Sequence, residues 1–476
     1  MQLSVYNHGD LLYICTMYKF FGWIVLMFFA LTVRSQGEGS AFLTTGQGAS
    51  TVFATDYQAL GINPANLAID WDTKTILSIA EGSFSLYSDA LLRSDLRSAF
   101  FSGINLSELQ AELFSQDFIE NGQALDINLM AIGAAFNLGK DQGFAFNVRA
   151  DLSANLKLND FGSSLIFQGF DFENYFDTLI VLFGDTSGVA STPEKLSLLF
   201  DGTNLSYSAT AEINIGYGFK LAEGKDYKVL AGIGARYIMG VGFFDFRVED
   251  KELKGFSSLS PGFLFNLDSL NTPSLIGGEK FKPVGHGAGF DLGVTINDGK
   301  MRYAASITDI GFIRWTGNVV EFNDGLIDSL TFSGIDGLNI FSELDEFIQE
   351  QLLLTTGVEA RTSALPTQFR ASIGALISDQ VNVGGEIIVP LNKQPGNITF
   401  PLVSAGVDWC FAGPFHVSSG FAFGGNYDFR VPMGFNVRTP NWDFGFASRD
   451  VTTLFGKKKP TLSLAVGFLR FKFGDA

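Results

Sequence analysis

Cysteine is nearly missing from this sequence, with Cys15 and Cys410 the two residues of that type among 476. Cys15 falls in the N-terminal leader described below, so Cys410 stands alone in the remainder and an intrachain disulfide framework is excluded. Histidine is almost as scarce. His8, His286 and His416 lack any metal-ligand spacing, which argues against zinc chemistry and predicts neither a metal nor a cofactor. Charged residues make up only 17% of the chain, and acids outnumber bases 50 to 32, for a net charge of -18. A nucleic-acid partner, which demands a basic face, is therefore not expected. Beyond the leader there is no apolar run of the about 20 residues that a membrane helix needs.

What the chain does have is glycine and aromatics. Its 54 glycines and 49 phenylalanines among 476 residues put glycine at about 11%, against an average of about 7%. That mixture suits many β-strands with glycine at bends and close approaches.

The leader reads Met17-Tyr18-Lys19, an apolar run from Phe20 to Val33, then Arg34-Ser35-Gln36 and polar Gly37-Glu38-Gly39-Ser40. This is the pattern of an export signal, so residues 1–36 are expected to be a signal peptide, with 1–16 an upstream extension and Met17 an alternative start.

From about residue 73 onward the dominant signal has period two, which places successive side chains on opposite faces of a strand. In one segment Phe144, Phe146, Val148, Ala150, Leu152, Ala154 and Leu156 alternate with Ala145, Asn147, Arg149, Asp151, Ser153, Asn155 and Lys157. Such segments cover about 74–87, 124–138, 143–157, 204–221, 227–248, 286–297, 300–314, 366–378, 381–391, 401–411, 415–423, 429–437, 442–448 and 462–473. Fourteen is an even number, as in single-chain bacterial barrels, and the connections alternate between short turns and longer loops. The fold class expected is all-β: a transmembrane antiparallel β-barrel of about fourteen strands over residues 73–476, with short helices in long extracellular loops. Amphipathic stretches at Ser107–Phe118 and Ile340–Leu352 are the helix candidates.

The two faces then acquire meaning. Phe429, Val431, Met433, Phe435 and Val437 should face lipid, and Arg430, Pro432, Gly434, Asn436 and Arg438 the lumen. Lumen-lining charges are expected at Arg149, Asp151, Glu212, Arg236, Asp291, Arg370, Glu386, Asp408 and Arg430. Mixed signs on neighbouring strands favour an ion-pair network that fills a small barrel. In the last segment Leu464, Val466 and Phe468 sit in one phase and Leu469, Phe471 and Phe473 in the other, predicting a bulge near Gly467.

Residues 37–72 lack alternation and contain Asn63-Pro64-Ala65-Asn66-Leu67. This stretch resembles the N-terminal hatch of FadL-type hydrophobic-compound transporters and their relatives such as PorV, and Asn63, Pro64 and Ala65 carry over as hatch-positioning residues. A closer resemblance is to an uncharacterised family of Bacteroidota outer-membrane proteins. It rests on Gly285-His286-Gly287-Ala288-Gly289-Phe290-Asp291-Leu292-Gly293, Thr308-Asp309-Ile310-Gly311-Phe312-Ile313-Arg314-Trp315 and Leu365-Pro366-Thr367-Gln368-Phe369-Arg370. The resemblance implies a barrel in the outer membrane of a Gram-negative bacterium. Its expected partners are outer-membrane lipid, a small hydrophobic ligand, or, if it is a PorV-like scaffold, the proteins of a surface secretion or motility apparatus.

Three motifs are weighed against plainer readings. The glycines at 285–289 lack the Lys-Ser/Thr tail of a phosphate loop and precede a strand, so they read as a bend into it. Asn323-Asp324-Gly325 through Asp328 does not have the spacing of a calcium loop and reads as an acidic outer loop. No nucleophile, base and orienting acid assemble, so no enzyme is expected.

Overall fold

The computed structural model describes residues 40–42, 52–69, 71, 73–88, 122–168, 175–182, 185–263, 271–278, 280–331, 354–455 and 461–475. The expected signal peptide and the two amphipathic stretches lie outside them.

Fourteen strands form the wall. They are β1 (Thr73–Ser88), β2 (Gln123–Gly139), β3 (Gln142–Lys157), β4 (Asn204–Glu223), β5 (Lys228–Glu249), β6 (Gly285–Asn297) and β7 (Met301–Trp315), followed by β8 (Gln368–Ser378), β9 (Val381–Pro390), β10 (Leu402–Ala412), β11 (Phe415–Gly424), β12 (Met433–Arg438), β13 (Trp442–Ser448) and β14 (Thr461–Asp475). Each pairs antiparallel with the next, and β14 pairs back onto β1, from Thr73↔Asp475 to Tyr87↔Thr461, closing the barrel. Every expected segment overlaps one of these strands. Closure removes the unpaired edges that an open sheet would present.

Alternation becomes an inside and an outside. On β4 the outward Ile213 and Ile215 are 44% and 47% exposed, whereas the inward Glu212 and Asn214 are 1% and 4% exposed. The same split puts Phe429 and Met433 outside and Arg430 and Asn436 inside. Between them the strand is interrupted at Val431 and Pro432, since proline cannot donate to the ladder. On β14 the exposed set is Leu462, Leu464 and Phe468, then Leu469 and Phe473. The phase changes where the step from Asp443 to Gly445 on β13 faces the longer step from Arg470 to Gly467 on β14, the bulge expected near Gly467.

Short turns lie at one end, with both ends of the sheet. At Asp298-Gly299 the carboxylate accepts from the amides of Lys300 (3.0 Å) and Met301 (2.6 Å). Gly299 there has φ 87°, open to glycine at no steric cost. At the other end five further short strands, 252–259, 319–323, 354–357, 361–364 and 427–430, belong to the same nineteen-stranded sheet. Trp315 is fully buried there with Ile238, Phe243, Val284, Ile313 and Leu365, and its indole donates to Ser363 Oγ at 2.8 Å.

The long connections hold more order than the sequence suggested. Residues 178–182, 185–195 and 326–331 form a separate three-stranded sheet, and α1 spans Asp160–Gln168, with the Gly162 amide donating to Asn159 Oδ1 at 2.9 Å. Asp324 is a structural anchor, accepting from the Ser197 amide (3.0 Å) and hydroxyl (3.0 Å) and pairing with Lys195 (3.2 Å). The 285–289 glycines are not a bend before a strand but the first residues of β6 itself. A Cβ at Gly285 would come within 2.7 Å of Trp315, and at Gly287 within 2.3 Å of the Phe312 carbonyl.

Candidate functional site

The described part of the N-terminal segment packs against the inner face of the wall. Asn63 begins a short 3-10 turn, Pro64–Ala68, whose first position suits proline because its missing N–H would have had no partner there. The Asn63 side chain accepts from the Ala65 amide (3.0 Å) and donates to Thr295 Oγ1 (3.0 Å) and the Val294 carbonyl (3.3 Å) on β6. Thr295 in turn donates to Asn66 Oδ1 (2.7 Å), and Ser306 on β7 donates to the Ile62 carbonyl (2.6 Å). Irregular backbone thus finds partners on the wall, as buried peptide groups must.

Beneath this turn four glycines form one row across the sheet. Gly143 on β3 pairs with Gly218 on β4, Gly218 with Gly232 on β5, and Gly232 with Gly293 on β6. A Cβ on each would collide with the segment: 2.1 Å from the Leu67 carbonyl at Gly143, 2.6 Å from the Ala68 amide at Gly218, 2.2 Å from the Pro64 carbonyl carbon at Gly232, and 1.9 Å from Asn63 Oδ1 at Gly293. The row is a socket whose depth is the missing side chains. Ala65 and Leu67 are fully buried in it.

One row away the charges begin. Arg149 pairs with Asp151 (3.0 Å) and Glu212 (3.1 Å), and Arg236 with Asp291 (2.5 Å), Asp309 (2.7 Å) and Glu212 (3.6 Å). Five of the nine residues named from sequence therefore lie in one buried network, which Asp309, at φ 60°, completes from the β7 bulge. Arg370 and Glu386 form a separate pair at 3.5 Å. Asp408 instead meets Arg438 (3.0 Å), Ser418 Oγ (2.8 Å) and His416 Nδ1 (3.4 Å). Arg430 is buried on the short strand before β12.

Toward β1 and β14 the segment is held by groups that the sequence did not single out. Arg470 on β14 donates to Asp56 (2.7 Å) and also pairs with Asp443, which Lys472 reaches at 2.8 Å. Tyr57 donates to Glu81 on β1. Phe42 lies over Arg470, with 5.0 Å from guanidinium to ring centroid; elsewhere, on β7, Arg302 lies 4.7 Å from the Phe53 ring centroid. In sequence Arg470 and Lys472 alternate with Leu469, Phe471 and Phe473 as the polar phase of the last strand. Asp56 carried no such signal, because its partner lies 414 residues away.

At the short-turn end Asp141 joins the turn between β2 and β3 to Lys220 (2.8 Å) on β4 and to Lys228 on β5. Burial works against its charge, but the two ammonium groups prevail and hold its carboxyl below the usual carboxylate range. As to reaction chemistry, Ser418 bonds to the Asp408 carboxylate and not to His416, so this trio lacks the order of a hydrolase relay.

A model for a family of unknown function, DUF5723, matches residues 83–444. No curated protein matches the chain. Solved structures similar to it include the Ralstonia pickettii toluene transporter TbuX (TM-score 0.44, 11% identity, covering 92% of this chain and 99% of that one). The Pseudomonas putida toluene transporter TodX gives 0.44 and 10%, covering 93% and 99%. A Pseudomonas aeruginosa FadL homologue gives 0.39 and 12%, covering 93% and 98%.

Proposed function

The chain belongs to the family of unknown function DUF5723, and from its geometry we propose that it is an outer-membrane barrel of a Gram-negative bacterium that passes small hydrophobic compounds across that membrane. Residues 37–72 act as the hatch. The observation that carries this reading is the glycine row: the wall reserves a side-chain-free seat for a segment of its own chain inside the bore. A seat built from close contact and a few hydrogen bonds is one that a segment can leave, whereas a bore filled only by wall side chains cannot open that way. The apolar exterior of β1–β14 and the buried charges within support the membrane setting. The resemblance of Asn63-Pro64-Ala65 to the hatch of FadL-type transporters supports the same assignment.

Reconstituting the mature chain with and without residues 37–72 tests the proposal. Deletion should raise conductance and alter uptake of an apolar probe; unchanged conductance and uptake would remove the hatch and the passage together.

A second reading, a non-transporting PorV-like scaffold for a surface secretion or motility apparatus, is favoured by one feature. The long loops build a three-stranded sheet of their own, separate from the sheet of the wall. Purification from detergent-solubilised membranes separates the two, since recovery of the chain alone counts against scaffolding.

A further inference from the structure

The barrel closes where β1 and β14 meet, and its ladder is broken there. Pairing runs from Thr75↔Phe473 to Ile79↔Leu469 and resumes at Gly82↔Val466, leaving residues 80–81 and 467–468 unmatched. Ala80 has φ 57°, an uncommon conformation for a residue with a Cβ. Missing rungs weaken the junction that makes the sheet a barrel.

The ladder also breaks between β6 and β7, from Ile307 to Ile310, but there the wall mends itself. The Asp309 amide donates to Asp291 Oδ1 at 2.9 Å, and Arg236 joins the two carboxylates. At the β1–β14 junction the mending groups come from the N-terminal segment. Glu81, buried beside the gap, accepts from the Tyr57 hydroxyl, from Ser40 Oγ (2.7 Å) and from Ser78 Oγ (2.5 Å). One residue back, Asp56 takes Arg470 of β14 at 2.7 Å. Phe42 fills the space that a Cβ on Gly467 would enter, 2.7 Å away, and Ala41 packs with Ala447 and Ala465. Neighbouring residues thus grip the last strand and the first.

We propose that Ser40–Phe42 and Asp56–Tyr57 are the closing brace of the barrel, tying β14 to β1 from inside across the gap in their ladder. This role is separate from passage through the bore and stands if that reading fails.

The test uses the full mature chain with Cys410→Ser, followed by the mobility shift between folded and heat-unfolded barrel on unheated gels. Asp56→Asn with Tyr57→Phe removes both grips with little change in size. The temperature of half-conversion should fall by about 10 °C, as expected for buried charges that lose their partners. A disulfide from Phe84→Cys and Leu464→Cys, register partners across the β1–β14 junction, should abolish the fall. One from Ile215→Cys and Ala235→Cys, partners across β4–β5, should leave it in place. No fall, or equal rescue by both disulfides, would overturn the brace. If the double variant does not fold, recovery by the β1–β14 disulfide alone supports the proposal and failure to recover refutes it. Conductance plays no part in the readout, so the outcome is independent of the hatch.

Discussion

The N-terminal segment meets two stretches of the wall by opposite means. Toward β3–β6 it lies on four glycines, close enough that any Cβ would strike its backbone or Asn63, and its polar contacts are amides, hydroxyls and carbonyls. Toward β1 and β14 it is held by a carboxylate on a buried arginine, a tyrosine on a buried glutamate, and aromatic rings over a guanidinium. Shape fixes the first side and charge the second. A site made by subtraction tolerates no added bulk but is indifferent to pH, whereas a site made by ion pairs tolerates modest changes of size but not the loss of one partner.

The charge side should give the largest effect. Arg470→Met keeps the length of the side chain but leaves Asp56 without its cation and Asp443 with Lys472 alone. Breaking one partner of a buried pair costs about 3–5 kcal/mol, read as a lowered urea midpoint at unchanged slope. A loss under about 1 kcal/mol, the range of solvent-exposed pairs, would mean that the two sides do not differ in kind.

The glycine side comes next. In Gly232→Val the new side chain must enter space held by Pro64 and Ala65, and overpacking of this sort costs about 1–3 kcal/mol. The wall should persist while the segment is displaced, so chymotrypsin should cut at Tyr57 in folded protein. Gly277→Val, where a Cβ meets nothing within 4 Å, is the control and should stay resistant. Cleavage equal in both variants would show that the row is not a seat.

Legibility followed the range of each interaction. Strand limits such as 143–157, found at 142–157, could be read because alternation and turn chemistry are local: Asp298-Gly299 announces its turn by itself. The sheet of 178–182, 185–195 and 326–331 could not, since its strands do not alternate and one of them joins from more than 130 residues away. The same divide runs through the site. Asn63-Pro64-Ala65 stands out as a contiguous motif, and Arg149 opposite Glu212 as a pair of inward charges. Gly143, Gly218, Gly232 and Gly293 each look like one more small residue on a wet face. They become a socket only when four strands are in register, which no single segment encodes.

The smallest expected effect concerns the rim below the glycine row, where charge returns to the side otherwise governed by shape. Asp141 is held below its ordinary range by Lys220 and Lys228 against the opposing effect of burial. A carboxyl lowered on folding binds fewer protons in the folded than in the unfolded chain. Its contribution is therefore complete above the unfolded value of about 3.9 and is lost as pH falls below that toward the lowered folded value. Asp141→Asn removes the contribution at every pH, so the variant should be less stable than the parent at pH 7 and match it in strong acid. The gap at pH 7 should be about 1 kcal/mol, since both lysines are partly solvated. Denaturation midpoints at pH 7 and pH 2.5 measure it. A gap that stayed constant with pH would mean that Asp141 acts through turn geometry and not through its charge.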